Sequence, residues 1–233
     1  MAQQVKMKIV ATSDTHLRHK NVQIQKGDVF VHAGDNNCMT ETQLRKFCTW
    51  VGSLKFKHKI IIAGNHDTIF KEKPDLVRKV TEENGIIYLE DSSVTIDGVK
   101  FYGSPWTPKY GEIYVFNAAR SITEQAFLGF QYPLIEEKWA MIPEDTDVLI
   151  THGPPYDIMD QNMNGGRCGC VELRKVVERV MPKVHIFGHI HEGYGKVITP
   201  TTRYFNVANL GFKRQYGTTV ILNHPSVKIG IKK

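Results

Sequence analysis

Five short runs of apolar, mostly β-branched residues punctuate the chain, and each ends abruptly in polar residues: Lys8–Asp14, Val29–Asp35, Ile60–His66, Val148–His152 and Val184–His189. Unbroken apolar runs of this length read as strands buried on both faces, the condition of a parallel sheet covered by helices. The segments between them follow a helical period. After the second run, Thr40 with Gln43 resembles a capping box, and Leu44, Phe47, Cys48, Val51 and Leu54 recur at helical spacing, which predicts a helix with one buried face. A second helix is expected from about Asp75 to Glu83: Pro74 opens it, Leu76, Val77 and Val80 share a face, and Asn84-Gly85 ends it. A strand at Ile86 and Ile87 follows at once. A third helix is expected over Val171 to Val180, with Leu173, Val176, Val177 and Val180 in one stripe and Pro182 stopping it before the next strand.

Two other pairs of segments alternate with period two and read as hairpins: Ser93–Ile96 with Lys100–Gly103 around Asp97-Gly98, and Thr218–Leu222 with Ser226–Ile231 around Asn223-His224-Pro225. The stretch from Ser104 to Asp147 is aromatic-rich and without clear period, and is expected to wrap one edge as loops and a short helix. Strands alternating with helices, joined by hairpins, define an α/β class with mixed sheets.

At 233 residues the chain can bury one sizeable core, so a single domain over 1–233 is expected. With 41% hydrophobic and 23% charged residues it does not carry the composition of a disordered chain. The net charge of +6 favours anionic ligands weakly, because the basic residues are scattered apart from the tail Lys228–Lys233. No apolar run approaches the roughly 20 residues of a membrane span, and no signal-like stretch opens the chain. Four cysteines without a leader suit a reducing compartment, so a cytoplasmic protein without a membrane partner is expected.

The chemistry gathers at the strand ends, where ligands in an open α/β sheet converge. Asp14 and His16 form D-x-H, Asp35 closes Gly-Asp, Asn65 and His66 lie in Gly-Asn-His-Asp, His152 begins His-Gly, and His189 and His191 form G-H-x-H. One strand-end histidine is most often structural, but five ordered blocks after five apolar runs point to a metal centre.

At these residues the chain resembles the calcineurin-like metallophosphoesterase superfamily, whose pattern is D-x-H, G-D, G-N-H-[DE], H and G-H-x-H in this order, with all five blocks intact between Met7 and about Asn209. It is closer still to the metallophosphoesterase-domain-containing branch, which includes cyclic-nucleotide phosphodiesterase-like proteins, in Gly103–Pro108, His152–Pro155, Gly169–Leu173 and Phe187–Gly195. Some members of that branch change a ligand in the last motif; this chain keeps His189. The resemblance implies a four-layer α/β/β/α sandwich, two mixed β-sheets flanked by helices. It also implies two divalent metal ions, one held by Asp14, His16, Asp35 and His191, the other by Asp35, Asn65, His152 and His189, with Asp35 bridging. Nitrogen and oxygen donors without thiolate suit Mn²⁺, Fe²⁺/Fe³⁺ or Zn²⁺, and a bridging carboxylate sets such ions about 3.5 to 4 Å apart. Their surplus positive charge favours an anionic phosphate and the charge that grows on it in the transition state.

His66 follows a ligand but belongs to neither set, so it is expected to donate a proton or hydrogen bond to substrate, with Asp67 orienting its ring. Arg167, just ahead of the third helix, is a candidate phosphate contact, although a solvated arginine is at least as good a reading. His19, His32, His58, His185 and His224 are assigned to structure or surface. Cys168 and Cys170 are expected to be reduced packing residues. Trp106 or Tyr110 has the chemistry to stack on a nucleobase, but core packing is the better reading. The expected activity is a phosphodiesterase acting on a small, nucleotide-like ester, with a nuclease, a phosphoprotein phosphatase or a catalytically weak metal-binding scaffold as alternatives. Nucleic acid is not an expected partner, since no long basic stripe is present. The oligomeric state is left open.

Overall fold

A computed structural model describes residues 4–109, 114–129, 132–209 and 216–225. The strands are β1 (Gln4–Thr12), β2 (Val29–Ala33), β3 (His58–Ile62), β4 (Ile87–Tyr88), β5 (Ser92–Ile96), β6 (Val99–Ser104), β7 (Thr107–Pro108), β8 (Asn117–Ala118), β9 (Val148–Thr151), β10 (Val184–Phe187), β11 (Gly195–Ile198), β12 (Arg203–Asn206) and β13 (Thr218–Pro225). The helices are α1 (Glu41–Ser53), α2 (Thr68–Glu72), α3 (Pro74–Glu83), α4 (Ile122–Leu128), α5 (Ile135–Ala140) and α6 (Val171–Val180).

Two mixed sheets form, ordered β13-β1-β2-β3-β4 and β11-β12-β10-β9-β6-β5. In the first, β1 to β4 run parallel and β13 joins antiparallel; in the second, β6, β9, β10 and β12 are parallel between antiparallel edges. The apolar runs split by parity. Ile9, Val29, Val31, Ile60 and Ile62 meet Phe101, Val148, Ile150, Val184 and Ile186 in one buried cluster between the sheets. Their neighbours Phe30, Ile61, Tyr102, Leu149 and Phe187 turn outward into a second cluster with Leu44, Phe47, Val77, Leu173 and Val177 from α1, α3 and α6. The result is the α/β/β/α sandwich expected from the sequence.

Local chemistry fixes the helix ends. The Thr40 hydroxyl accepts from the Gln43 N–H while Gln43 Oε1 accepts from the Thr40 N–H at 2.9 Å, closing the capping box. Pro74 sits in the first turn of α3. The Asp97-Gly98 turn has both residues at positive φ (48° and 82°), as the tight primed turn of a twisted hairpin requires.

Some expectations give way. β13 continues through Asn223 and His224 to pair Pro225 with Gln4, so no turn forms there: β1 offers the long partner that a hairpin would have supplied. The second strand of that expected hairpin, Ser226–Ile231, lies outside the described residues, as does the His224 side chain. The Ser104–Asp147 stretch holds two short helices, α4 and α5, and the paired β7 and β8 rather than loops and one helix. The β11–β12 hairpin, closed by the Thr199 N–H donating to Thr202 O at 3.0 Å, had no turn signal strong enough to be read.

A candidate dinuclear metal centre at the sheet ends

The carboxyl ends of the parallel strands from both sheets meet. The Ser13 N–H donates to Val207 O (3.2 Å), the Gly188 N–H to His152 O (2.9 Å), and His152 Nδ1–H to Ala33 O (2.9 Å), stitching β1, β2, β9, β10 and β12 together just beyond their last paired residues. The turn that follows each strand is contorted: Asp14, His16, Asp35 and His189 all adopt left-handed φ, at 53°, 42°, 59° and 66°. Non-glycine residues held there store strain, and such positions cluster at functional sites.

Glycines make the close approach possible. A Cβ on Gly64 would lie 2.2 Å from Asp35 Oδ1, and one on Gly188 would lie 2.2 Å from Asp14 Oδ2. These are the glycines of G-N-H and G-H-x-H, so the motifs specify space as well as ligands.

Two groups of potential ligand atoms result. Within Asp14, His16 and His191, and again within Asp35, His152 and His189, one donor atom per residue lies within 4.8 Å of the others. In the first, His191 Nε2 is 3.3 Å from His16 Nε2 and 3.4 Å from Asp14 Oδ1. In the second, His152 Nε2 is 3.3 Å from Asp35 Oδ2 and 2.9 Å from Asn65 Oδ1. The unused ring nitrogens are occupied as metal-ligating histidines require: His16 Nδ1 meets Asn37 Oδ1 at 2.7 Å and His152 Nδ1–H the Ala33 carbonyl, which aims both Nε2 atoms inward. Asp14, Asp35, Asn65 and His152 are buried.

The electrostatics fit a cation. Burial disfavours charge on His152, yet the adjacent Asp35 carboxylate overrides it and lifts the ring to about 9. Burial likewise works against charge on Asp35 and Asp14, but His152 and His66 around Asp35, and the His191 hydrogen bond to Asp14, hold both carboxyls below their ordinary range. His189 is pushed down to about 4, chiefly by burial, and so offers a neutral ring. Two buried carboxylates and four histidines whose ring nitrogens converge on them fit a pair of divalent ions.

His66 stands apart from both groups. It is half-buried, its N–H donates to Asp35 Oδ1 at 2.9 Å, and its ring packs edge-on against Tyr114 with centroids 4.6 Å apart. Asp67 does not orient that ring. Its carboxylate accepts instead from the backbone N–H groups of Asp35 (2.9 Å), Gly64 (2.9 Å) and Cys38 (2.8 Å), clamping the two turns that carry Asp35 and Asn65. The Asp67 N–H donates back to Gly64 O at 3.2 Å, closing a turn over Asn65 and His66 that carries the two side chains to different partners. Arg167 borders the cleft, and its guanidinium meets Asp160 and Asp157, each at 2.7 Å, inside the 157–169 loop.

A cleft of about 430 Å³ opens over the centre, bordered by His66, Tyr114, Arg120, Arg167 and Glu192. Sequence reasoning missed Tyr114, Arg120 and Glu192; their only signal was membership of an aromatic or charged stretch. Trp106 is 4% exposed, donates from Nε1–H to Asp91 at 2.8 Å and lies under the Lys138 ammonium at 4.3 Å from its ring centre, so it packs in the core, as preferred, with an edge on the cleft. Tyr110 lies outside the described residues. Cys170 is buried and caps α6 by accepting from the Leu173 N–H at 3.4 Å, whereas Cys168 is exposed at the cleft rather than packed.

Paired ligand sets at the strand ends of an α/β/β/α sandwich define a metallophosphoesterase-type protein. The chain belongs to the calcineurin-like phosphoesterase family, whose model matches residues 7–193. It is 42% identical over 228 residues to human metallophosphoesterase domain-containing protein 1, covering 86% of this chain and 65% of that protein, and 37% identical over 230 residues to UPF0046 protein K07C11.7 of Caenorhabditis elegans, covering 93% and 74%. The chain therefore spans just under two thirds of the length of the human relative. Solved structures of similar fold include phosphopantetheinyl hydrolase of Mycobacterium tuberculosis (TM-score 0.56, 14% identity, 87% and 89% covered) and TT1561 of Thermus thermophilus (TM-score 0.59, 13% identity, 89% and 91% covered). At those identities the likeness speaks to fold alone. Among the described residues no helix is long and apolar enough to cross a membrane.

Proposed function

We propose that the chain hydrolyses phosphate esters at a centre of two divalent metal ions, and that its substrate is a small, nucleotide-like phosphodiester. The observation that carries this reading is the pair of ligand groups, each within 4.8 Å, beneath a cleft of about 430 Å³, a volume in the range of small-molecule sites. Asp14, His16 and His191 would hold one ion, Asn65, His152 and His189 the other, with Asp35 between them. When bound, such a pair supplies an acidified water and Lewis-acid stabilisation of the phosphoryl oxygens. The protein's part is to orient the ester and to deliver a proton. His66 lies beside Asp35 yet opens on the cleft, and its Nε2 is the group placed to donate to the leaving oxygen. Asp67 contributes by holding the Asp35 and Asn65 turns together.

Charge favours a diester. Among the described residues, the two guanidiniums bordering the cleft are met by carboxylates, Arg167 by Asp157 and Asp160 and Arg120 by Glu124, so neither stands ready for the second charge of a monoester dianion. The four free thiols support a reducing compartment, the cytoplasm. The test is hydrolysis of a generic diester and a generic monoester by the Mn²⁺-loaded chain, beside Asp35→Ala and His66→Ala. The diester is expected to be cleaved faster, Asp35→Ala to lose metal and activity together, and His66→Ala to keep metal while losing roughly 10²- to 10⁴-fold in rate. Equal silence of all preparations with metal bound would make the protein a metal-binding scaffold.

A further inference from the structure

The turns carrying Asp14 and His16 and carrying Asp35 run side by side, joined by backbone bonds from the Asp14 N–H to Gly34 O (2.9 Å), the His16 N–H to Asp35 O (3.2 Å) and the Leu17 N–H to Asn36 O (2.9 Å). Their side chains alternate. Asp14, His16, Asp35 and Asn37 serve the metal face, as the ligand group and the His16–Asn37 bond show. Thr15 and Asn36, the residues between, point the other way and are buried.

On that hidden face the polar atoms form one closed network. Thr15 Oγ1–H donates to Asn36 Oδ1 at 2.6 Å. Having given its only proton, the hydroxyl takes its second bond as acceptor, from His32 Nε2–H at 3.0 Å. His19 Nδ1–H donates to the same Asn36 oxygen at 2.9 Å, and Asn36 Nδ2–H reaches Cys38 Sγ at 3.5 Å. Aromatic rings seal it: Phe47 lies 4.9 Å from His32, and Trp50 lies 5.0 Å from His19.

A histidine in the middle of the apolar run Val29–Ala33, buried against phenylalanine, carries a desolvation cost that an apolar residue there would avoid. Local rules are broken in this way where a site needs it. We infer that Thr15, Asn36 and His32 are positioning residues that fix the separation of Asp14 from Asp35, and hence the spacing of the two metal ions. This rests on the metal-centre reading above. The hydroxyl of Thr15 is the keystone, because it bonds at once to Asn36 of the Gly-Asp turn and to His32 of strand β2, bracing the turns beside their backbone bonds.

The experiment compares the full chain with Thr15→Val, which keeps the shape and deletes the hydroxyl, and Thr15→Ser, which keeps the hydroxyl. Metal-free protein is titrated with Mn²⁺ by calorimetry, and the loaded protein is examined by electron paramagnetic resonance for the signal of a coupled ion pair. Thr15→Val is expected to bind one of the two ions 10- to 100-fold more weakly, the usual effect of losing a partner behind the ligands, and to lose the coupled signal. Thr15→Ser is expected to keep both. If Thr15→Val does not fold, Thr15→Ala is read in its place. Unchanged affinity and coupling in the folded variant, or equal losses in Thr15→Val and Thr15→Ser, would overturn the inference and leave Thr15 a packing residue. Failure of the parent chain itself to bind two ions would instead overturn the metal-centre reading.

Discussion

Gly64→Ala is the sharpest test of how the site is built. The added methyl would lie 2.2 Å from Asp35 Oδ1, 2.5 Å from Asp35 N and 2.8 Å from its Cγ, whereas real contacts of this kind begin near 3.0 Å. The carboxylate must retreat by about 0.8 Å, from the difference between those distances, or the backbone must part. Neither is free to move. Asp35 Oδ1 accepts the His66 N–H and the Asp35 N–H donates to Asp67 Oδ2, both at 2.9 Å, so displacement breaks or stretches two buried hydrogen bonds. Overpacking of this kind costs about 1–3 kcal/mol, and each buried bond adds roughly 1 kcal/mol, giving a loss of about 2–4 kcal/mol. For a chain of this size that lowers the melting temperature by roughly 5–15 °C. The functional loss is expected to be larger, since a misplacement approaching 1 Å in a catalytic constellation costs on the order of 10²-fold. Gly165→Ala is the control. Gly165, unlike Gly64, has a positive φ, of 76°, but nothing lies within 4 Å of its added Cβ, so only a conformational cost of about 1 kcal/mol is expected, with metal binding intact. Calorimetric metal affinity and kcat/KM decide the matter: a Gly64→Ala protein within twofold of the parent in both would refute the steric account of the motif.

Three other outcomes are expected. Thr40→Ala removes the capping box of α1 and should destabilise the chain by about 1 kcal/mol in denaturant melts while leaving activity untouched. His185 is fully buried, and burial pushes its ring down to about 3 from an ordinary 6.5. The unfolded chain therefore takes up a proton that the folded chain refuses: stability is complete above pH 6.5 and falls, by about 1.4 kcal/mol per unit, as the pH drops towards 3. His185→Leu should make that acid limb shallower by about one proton; identical slopes would contradict the assignment. Adding Mn²⁺ at a hundredfold its dissociation constant should stabilise the parent by about 2.7 kcal/mol, an increment that Asp35→Asn largely abolishes. A melting temperature indifferent to metal would count against the paired site.

Much of this molecule is written locally. The apolar runs of Val29–Ala33 and Ile60–Ile62, too short for helices and too continuous for half-exposed strands, already require helices on one face and a second sheet on the other. Thr40 with Gln43 and Asp97-Gly98 act within a few residues, so their cap and turn could be read without knowing the fold. The candidate ligands stand out for the same reason: each sits within four residues of a strand end, and strand ends converge. What tertiary structure alone decided are relations between residues distant in the chain. β13 stays straight through Asn223-His224-Pro225 because β1, over two hundred residues earlier, is there to pair with it. Asp67 was misplaced because its partners, the Asp35 and Cys38 amides, are chosen by where turns fold back, and the same folding sets Arg167 against Asp157 and Asp160. His32, assigned only to structure or surface from the sequence, and Thr15 meet behind the candidate metal centre only once two parallel strands set their turns side by side. Sequence fixes what each residue can donate, accept or bury; the packing of the sheets determines which partner it finds.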